Sequence, residues 1–251
     1  MAMEYHQRAL YLLPEEPGFS AANAAILDKR ERYMRRSFPA AVREWYTLEG
    51  SVELLRTYSN SDNPVPLEEL GRPVDNWYES GPRNLVADSL LWFMWENQGV
   101  CNWAVRLDGT ADPPVVVERD SGPHEVWQPA ADSFSDFVFC QIWDFQPAGA
   151  RCGAGERGLA ANDLEFLRRT FTAGVTTYGW PGATNYRFHT PWGRILIWHS
   201  PDGGTYWNLV ANSGDELQEL IRAVSCCANL RDGLEGCDEA GRAAVARVRE
   251  R

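Results

Sequence analysis

The sequence predicts an α+β fold, a mainly antiparallel central sheet flanked by helices and followed by a second α+β half, and three observations carry that reading. Leu90 to Leu107 (LLWFMWENQGVCNWAVRL) sets two aromatic-rich runs of strand length around the polar segment Glu96-Asn97-Gln98-Gly99, the pattern of a hairpin buried in an interior. Ser133-x-x-Asp136, Asn162-x-x-Glu165 and Ser213-x-x-Glu216 each precede an apolar stripe at helical spacing, as capped helices do. Strands leading into a capped helix begin again after Gly158, with Trp127 six residues before Ser133 and Trp207 six before Ser213. The echo fits a degenerate duplication or simply the common way of joining a strand to a helix.

The elements follow in order. After a polar lead, Ser20 caps a helix running toward Arg36, with Ala24, Leu27 and Met34 on one side and Lys29, Arg30, Arg32 and Arg35 on the other. Pro39 opens a short helix with Val42, Trp45 and Tyr46 as its stripe, and Gly50 is the expected terminator. Val52 to Tyr58 fits strand or helix, and Pro66 to Gly71 fits a single helical turn. Beyond the hairpin, Pro114 to Glu118 is a short β-branched strand and Glu125-Val126-Trp127 a fourth. Ser133 then caps a helix bearing Phe134, Phe137, Val138 and Ile142.

Gln146 to Gly158 is small, Gly-rich and aperiodic, as a linker or long loop is. Tyr186 to Phe188, Ile195 to Trp198 and Thr205 to Val210 are expected strands, and the helix after Ser213 carries Leu217, Leu220, Ile221 and Val224. The expected organisation is an α+β domain over 20–145, a Gly-rich linker or loop over 146–158, an α+β region over 159–228 and a charged, Gly-interrupted tail over 229–251 whose Ala-Arg-rich end forms a helix or frays.

Composition narrows the function. At 251 residues and 44% hydrophobic content the chain can bury a sizeable core, and eleven tryptophans favour packed sheets or an aromatic recognition surface. No signal peptide or membrane span is expected, since the N-terminus lacks an apolar core and the longest uncharged run is broken by Gly and Pro; a cytoplasmic location follows as an expectation. Six scattered cysteines without a CxxC pair argue against a structural zinc site. The net charge of −11 is concentrated in 51–150, which carries 16 acidic against 5 basic residues. Such a block repels nucleic-acid phosphates and would steer a basic protein inward.

Several local patterns resemble the SUKH superfamily, the group that includes the yeast cell-wall assembly regulator and many bacterial immunity proteins. They are Phe38-Pro39 with Val42-Arg43-Glu44-Trp45-Tyr46 and Gly50; Glu96-Asn97-Gln98-Gly99 with Trp103-Ala104-Val105; Asp112-Pro113-Pro114-Val115-Val116; and Ala131-Asp132-Ser133-Phe134-Ser135-Asp136-Phe137. The resemblance covers about Ser20 to Phe145 and implies a single-sheet α+β fold that binds other proteins without catalytic residues.

No catalytic residue, metal ligand or cofactor is expected: His6, His124, His189 and His199 lie in different segments, and no GxSxG, P-loop or GxGxxG motif occurs. The candidate binding residues are Glu96, Asn97 and Gln98 at the hairpin tip, Trp77 and Tyr78 nearby, and Asp108, Asp112, Glu118, Asp120 and Glu125 as an acidic rim for a basic toxin domain. Each has a plainer reading, a turn in the first case and a solvated acidic face in the last. The function these features suggest is a non-enzymatic immunity or adaptor protein; the alternative is a small-ligand or carbohydrate binder using its tryptophans.

Overall fold

A computed structural model describes residues 3–75, 82–119, 126–179, 182–227 and 230–250. The chain is α+β and its contacts divide it into two units, Met1–Gln146 with Gly179–Pro181, and Pro147–Tyr178 with Gly182–Arg251.

The first unit opens with α1 (Gln7–Leu10), α2 (Ala21–Met34), α3 (Ala40–Tyr46) and α4 (Ser51–Thr57), then β1 (Asn63–Pro64) and a 3-10 turn at Leu67–Glu69. A two-stranded ribbon, β2 (Val74–Asp75) and β3 (Pro82–Arg83), precedes β4 (Leu90–Trp95), β5 (Cys101–Arg106), β6 (Val115–Arg119) and β7 (Val126–Ala131), and α5 (Phe134–Phe145) closes the unit. The sheet order β1-β4-β5-β6-β7 is antiparallel throughout. One face carries Leu91, Phe93, Met94, Trp103, Val105, Val115 and Val117 into a core shared with Leu27, Trp45, Leu55, Phe134 and Ile142 of the helices.

Local chemistry explains most boundaries. Ser20 accepts the Asn23 N–H at 3.2 Å and starts α2, and Ser133 accepts that of Asp136 at 3.0 Å and starts α5. Pro39 is the N-cap of α3 rather than its first residue. Gly50, expected to end that helix, instead begins α4: its φ of +66° lets the chain reverse after Leu48, and the ambiguous 52–58 stretch is helical. The polar lead is not peripheral. Glu44, 8% exposed on α3, accepts the N–H groups of Glu4, Tyr5 and His6 at 2.6, 2.8 and 3.0 Å, and Ala9 and Leu10 enter the core.

The second unit is built from β8 (Ala150–Arg157), α6 (Ala161–Thr170), β9 (Thr172–Ala173), β10 (Thr184–His189), β11 (Gly193–His199), β12 (Gly204–Ala211), α7 (Gly214–Val224), α8 (Leu230–Gly233), β13 (Leu234–Gly236) and α9 (Glu239–Arg249). Its six described strands run β13-β8-β12-β11-β10-β9, each pair antiparallel. Trp207, Leu209, Ile195, Ile197, Cys152 and Ala154 meet α7 and α9 in the core. Ser213 accepts the Glu216 N–H at 3.3 Å and caps α7. The expected cap at Asn162 is not used: α6 begins at Ala161 after an Ala160 N-cap that makes no side-chain bond.

The linker expectation fails: the segment holds β8, an interior strand between β12 and β13. Of the two alternatives for the Ala-Arg-rich end the helix forms, as α9 with Ala244, Val245 and Val248 buried, and the tail also supplies β13. Some glycines of these segments are points of close approach. A Cβ on Gly153 would lie 2.2 Å from the Tyr206 hydroxyl, and one on Gly241 would lie 1.9 Å from the Arg151 carbonyl oxygen. Gly241→Ala is therefore expected to force α9 off β8 and cost about 1–3 kcal/mol, read as a lower urea midpoint at unchanged m-value.

Candidate functional site

The site grows from one irregularity in β4. Residues three apart in a regular strand point to opposite faces, so Trp92 and Trp95 would be split between core and surface. Trp92 opposes Ala104 while Met94 opposes Trp103, so two residues of β4 advance against one of β5 and Phe93 is the bulged residue. Phe93 and Met94 both enter the core, and Trp92 and Trp95 both stand half-buried on the opposite face, ring centroids 5.3 Å apart. The bulge also leaves the Met94 carbonyl to accept the Trp92 indole N–H at 3.1 Å.

The registers then align one row across four strands: Trp95, Asn102, Glu118 and Trp127. The adjacent row is Trp92, Ala104, Val116 and Pro129. Leu85, Leu90, Ala104 and Val116 pack with Trp92 and Trp127 into a small apolar cluster on this outer face. Beside it Glu118, 7% exposed, accepts the Asn102 amide at 3.2 Å and has Asn102 and Trp127 as its cross-strand neighbours.

The structure separates the expected binding residues. Glu96 is 3% exposed and its carboxylate accepts the N–H groups of Gln98 and Val100 at 2.7 and 3.2 Å, closing the hairpin. Asn97 is exposed, but its backbone N–H donates to Asp62 at 3.3 Å and its amide to the Asn60 carbonyl; Gln98 is exposed. Asp108 accepts the Thr110 hydroxyl and N–H at 2.6 and 3.0 Å, which hold its carboxyl below the usual range. Asp112 accepts the Ser135 hydroxyl and N–H at 2.5 and 3.0 Å, at the start of α5.

Of the expected acidic rim, Asp108 and Asp112 flank the β5–β6 connection and Glu118 lies three residues along β6, about 10 Å from its start. Trp77, Tyr78, Asp120 and Glu125 lie outside the described residues. The residues missed by sequence reasoning are Trp95, Asn102 and Trp127, joined to Glu118 only through register. LLWFMW by itself places its two tryptophans on opposite faces, and only the bulge brings them to one.

Comparison of the chain with protein-family models, curated proteins and solved structures gives no match. Among the described residues no cluster of three or more His, Cys, Asp or Glu side chains could hold a metal ion, and no helix is long and apolar enough to cross a membrane. None of the six cysteines forms a disulfide.

Beside the site, Asp62 and Glu96 form a buried acidic pair against Cys101. Burial, reinforced by the Glu96 charge, pushes the Asp62 carboxyl up to about 6 against the pull of the Asn97 N–H. The same burial and charges push the Cys101 thiol up to about 12. The folded Asp62 value exceeds the unfolded one of about 4, so its stabilising contribution is full below pH 4 and lost as pH rises through 6. Buried His6, with its pKa lowered chiefly by desolvation, acts in the opposite direction. Asp62→Asn isolates the carboxyl: its unfolding free energy should match wild type near pH 4 and exceed it by about 2–3 kcal/mol at pH 7.5. Equal stability at pH 7.5 would show that the carboxylate is not strained there.

Proposed function

We propose that the chain is a non-enzymatic protein-binding module, SUKH-like in kind, that neutralises or recruits a basic protein such as a bacterial toxin domain. The observation that carries this reading is the row Trp95, Asn102, Glu118 and Trp127 on the outer face of the five-stranded sheet. A carboxylate in a row that ends in an indole on each side suits a Lys or Arg side chain, which can gain both ionic and cation–π attraction. The net charge of −11 supplies the long-range steering that brings a basic partner to such a surface.

The paired rings of Trp92 and Trp95 favour a second reading, an oligosaccharide stacked on the same face. Calorimetry with basic protein domains encoded beside this gene separates the two. Trp95→Ala is expected to weaken a protein partner about thirtyfold or more, and Glu118→Gln to weaken it and flatten its salt dependence. A sugar ligand would lose affinity in Trp95→Ala, yet keep the same salt-independent binding in Glu118→Gln. Unchanged protein affinity in both variants overturns this surface.

A further inference from the structure

We propose that a cleft at the C-terminal end of α2 binds a phosphate dianion, free or carried on a small molecule, through the guanidiniums of Arg32 and Arg35. The cleft has a volume of about 410 Å³ and is lined by Asp28, Glu31, Arg32, Arg35, Arg36 and Ser37. Every one of these side chains is charged or polar, so the cleft has no wall for the apolar body of a ligand.

The local charges are largely assigned. Arg43 reaches from α3 and pairs with both carboxylates, donating to Asp28 at 2.6 Å and to Glu31 at 2.9 Å, which leaves one negative charge on that triad. Arg36 donates to the Leu107 carbonyl. Arg32 and Arg35 are exposed and make no ion pair or hydrogen bond to a described residue through their side chains. Four guanidiniums against two carboxylates leave two positive charges over, in a chain whose net charge is −11. Two unneutralised guanidiniums three residues apart, with the Ser37 hydroxyl beside them, match the charge and donor demand of a phosphate dianion.

Arg35 ends α2 in the left-handed conformation, φ +54° and ψ +33°, where glycine is the unstrained choice. The N–H groups of Arg35 and Arg36 both bond the Glu31 carbonyl, so any attraction for the anion comes from the guanidiniums, against the negative end of the helix.

The test is titration calorimetry of the full chain at low salt with inorganic phosphate and with phosphoserine, on wild type, Arg32→Gln and Arg35→Gly. One-to-one binding that weakens at least tenfold in both variants is expected. Inorganic phosphate binding alone identifies the free ion as ligand, and binding of both compounds identifies the phosphate group wherever it is carried. Arg35→Gly should also melt at or above the wild-type temperature, so its loss of binding cannot come from unfolding. Absence of binding by both compounds, or wild-type affinity in either variant, would overturn the proposal.

Discussion

The outer face of the first sheet depends on the bulge at Phe93. A strand has only two sides, and LLWFMW asks for three large residues inside and two indoles outside within six positions. One unpaired residue resolves the conflict by reversing the alternation between Trp92 and Met94. Leu91, Phe93 and Met94 then complete the core against Phe134 and Phe137, whose rings meet Phe93 edge-on at 5.3 and 5.2 Å. Without the bulge, either Trp95 would displace core volume or Met94 would be stranded in water, and the row that ends at Trp127 would not exist.

Several carboxylates of the first unit are engaged inside it. Glu44, Glu96 and Asp112 each accept at least one backbone N–H that the local secondary structure leaves unsatisfied, tying down the N-terminal segment, the hairpin tip and the entry to α5. A carboxylate accepting several amides is an internal ligand and not a docking charge. The contribution of net charge to recognition is therefore diffuse, a field over the whole surface, whereas specificity rests on the few side chains that the sheet register brings together.

The two units share a plan, an antiparallel meander running into a Ser-capped helix, but they treat their matching tryptophans differently. Trp207 is fully buried among Leu209, Ile197 and α7, while Trp127 is half-buried on the outer face. A second register shift, opposite Val115 and Val116, puts both Ala130 and Ala131 in the core and reverses the alternation upstream. The regular ladder of β12 has no such shift. Equal spacing to the cap thus leads to opposite faces, and the echo in sequence is one of connection rather than of environment.

Local signals in the sequence determined the α+β class, the central hairpin, the caps at Ser20, Ser133 and Ser213, and the helical stripes behind them. Those depend on neighbours within four or five residues, and propensity and capping act at that range. Tertiary structure decided the rest. It made a strand of 150–157 and docked the 239–249 helix against it, because only a packed neighbour shows that the missing Cβ of Gly153 or Gly241 is an occupied space. It turned Glu96, Asp112 and Glu44 inward, because their amide partners exist only once turns and helix ends are formed. It also joined Trp95 to Trp127, since cross-strand neighbours follow from register, and register here turns on two bulges that no local periodicity announces.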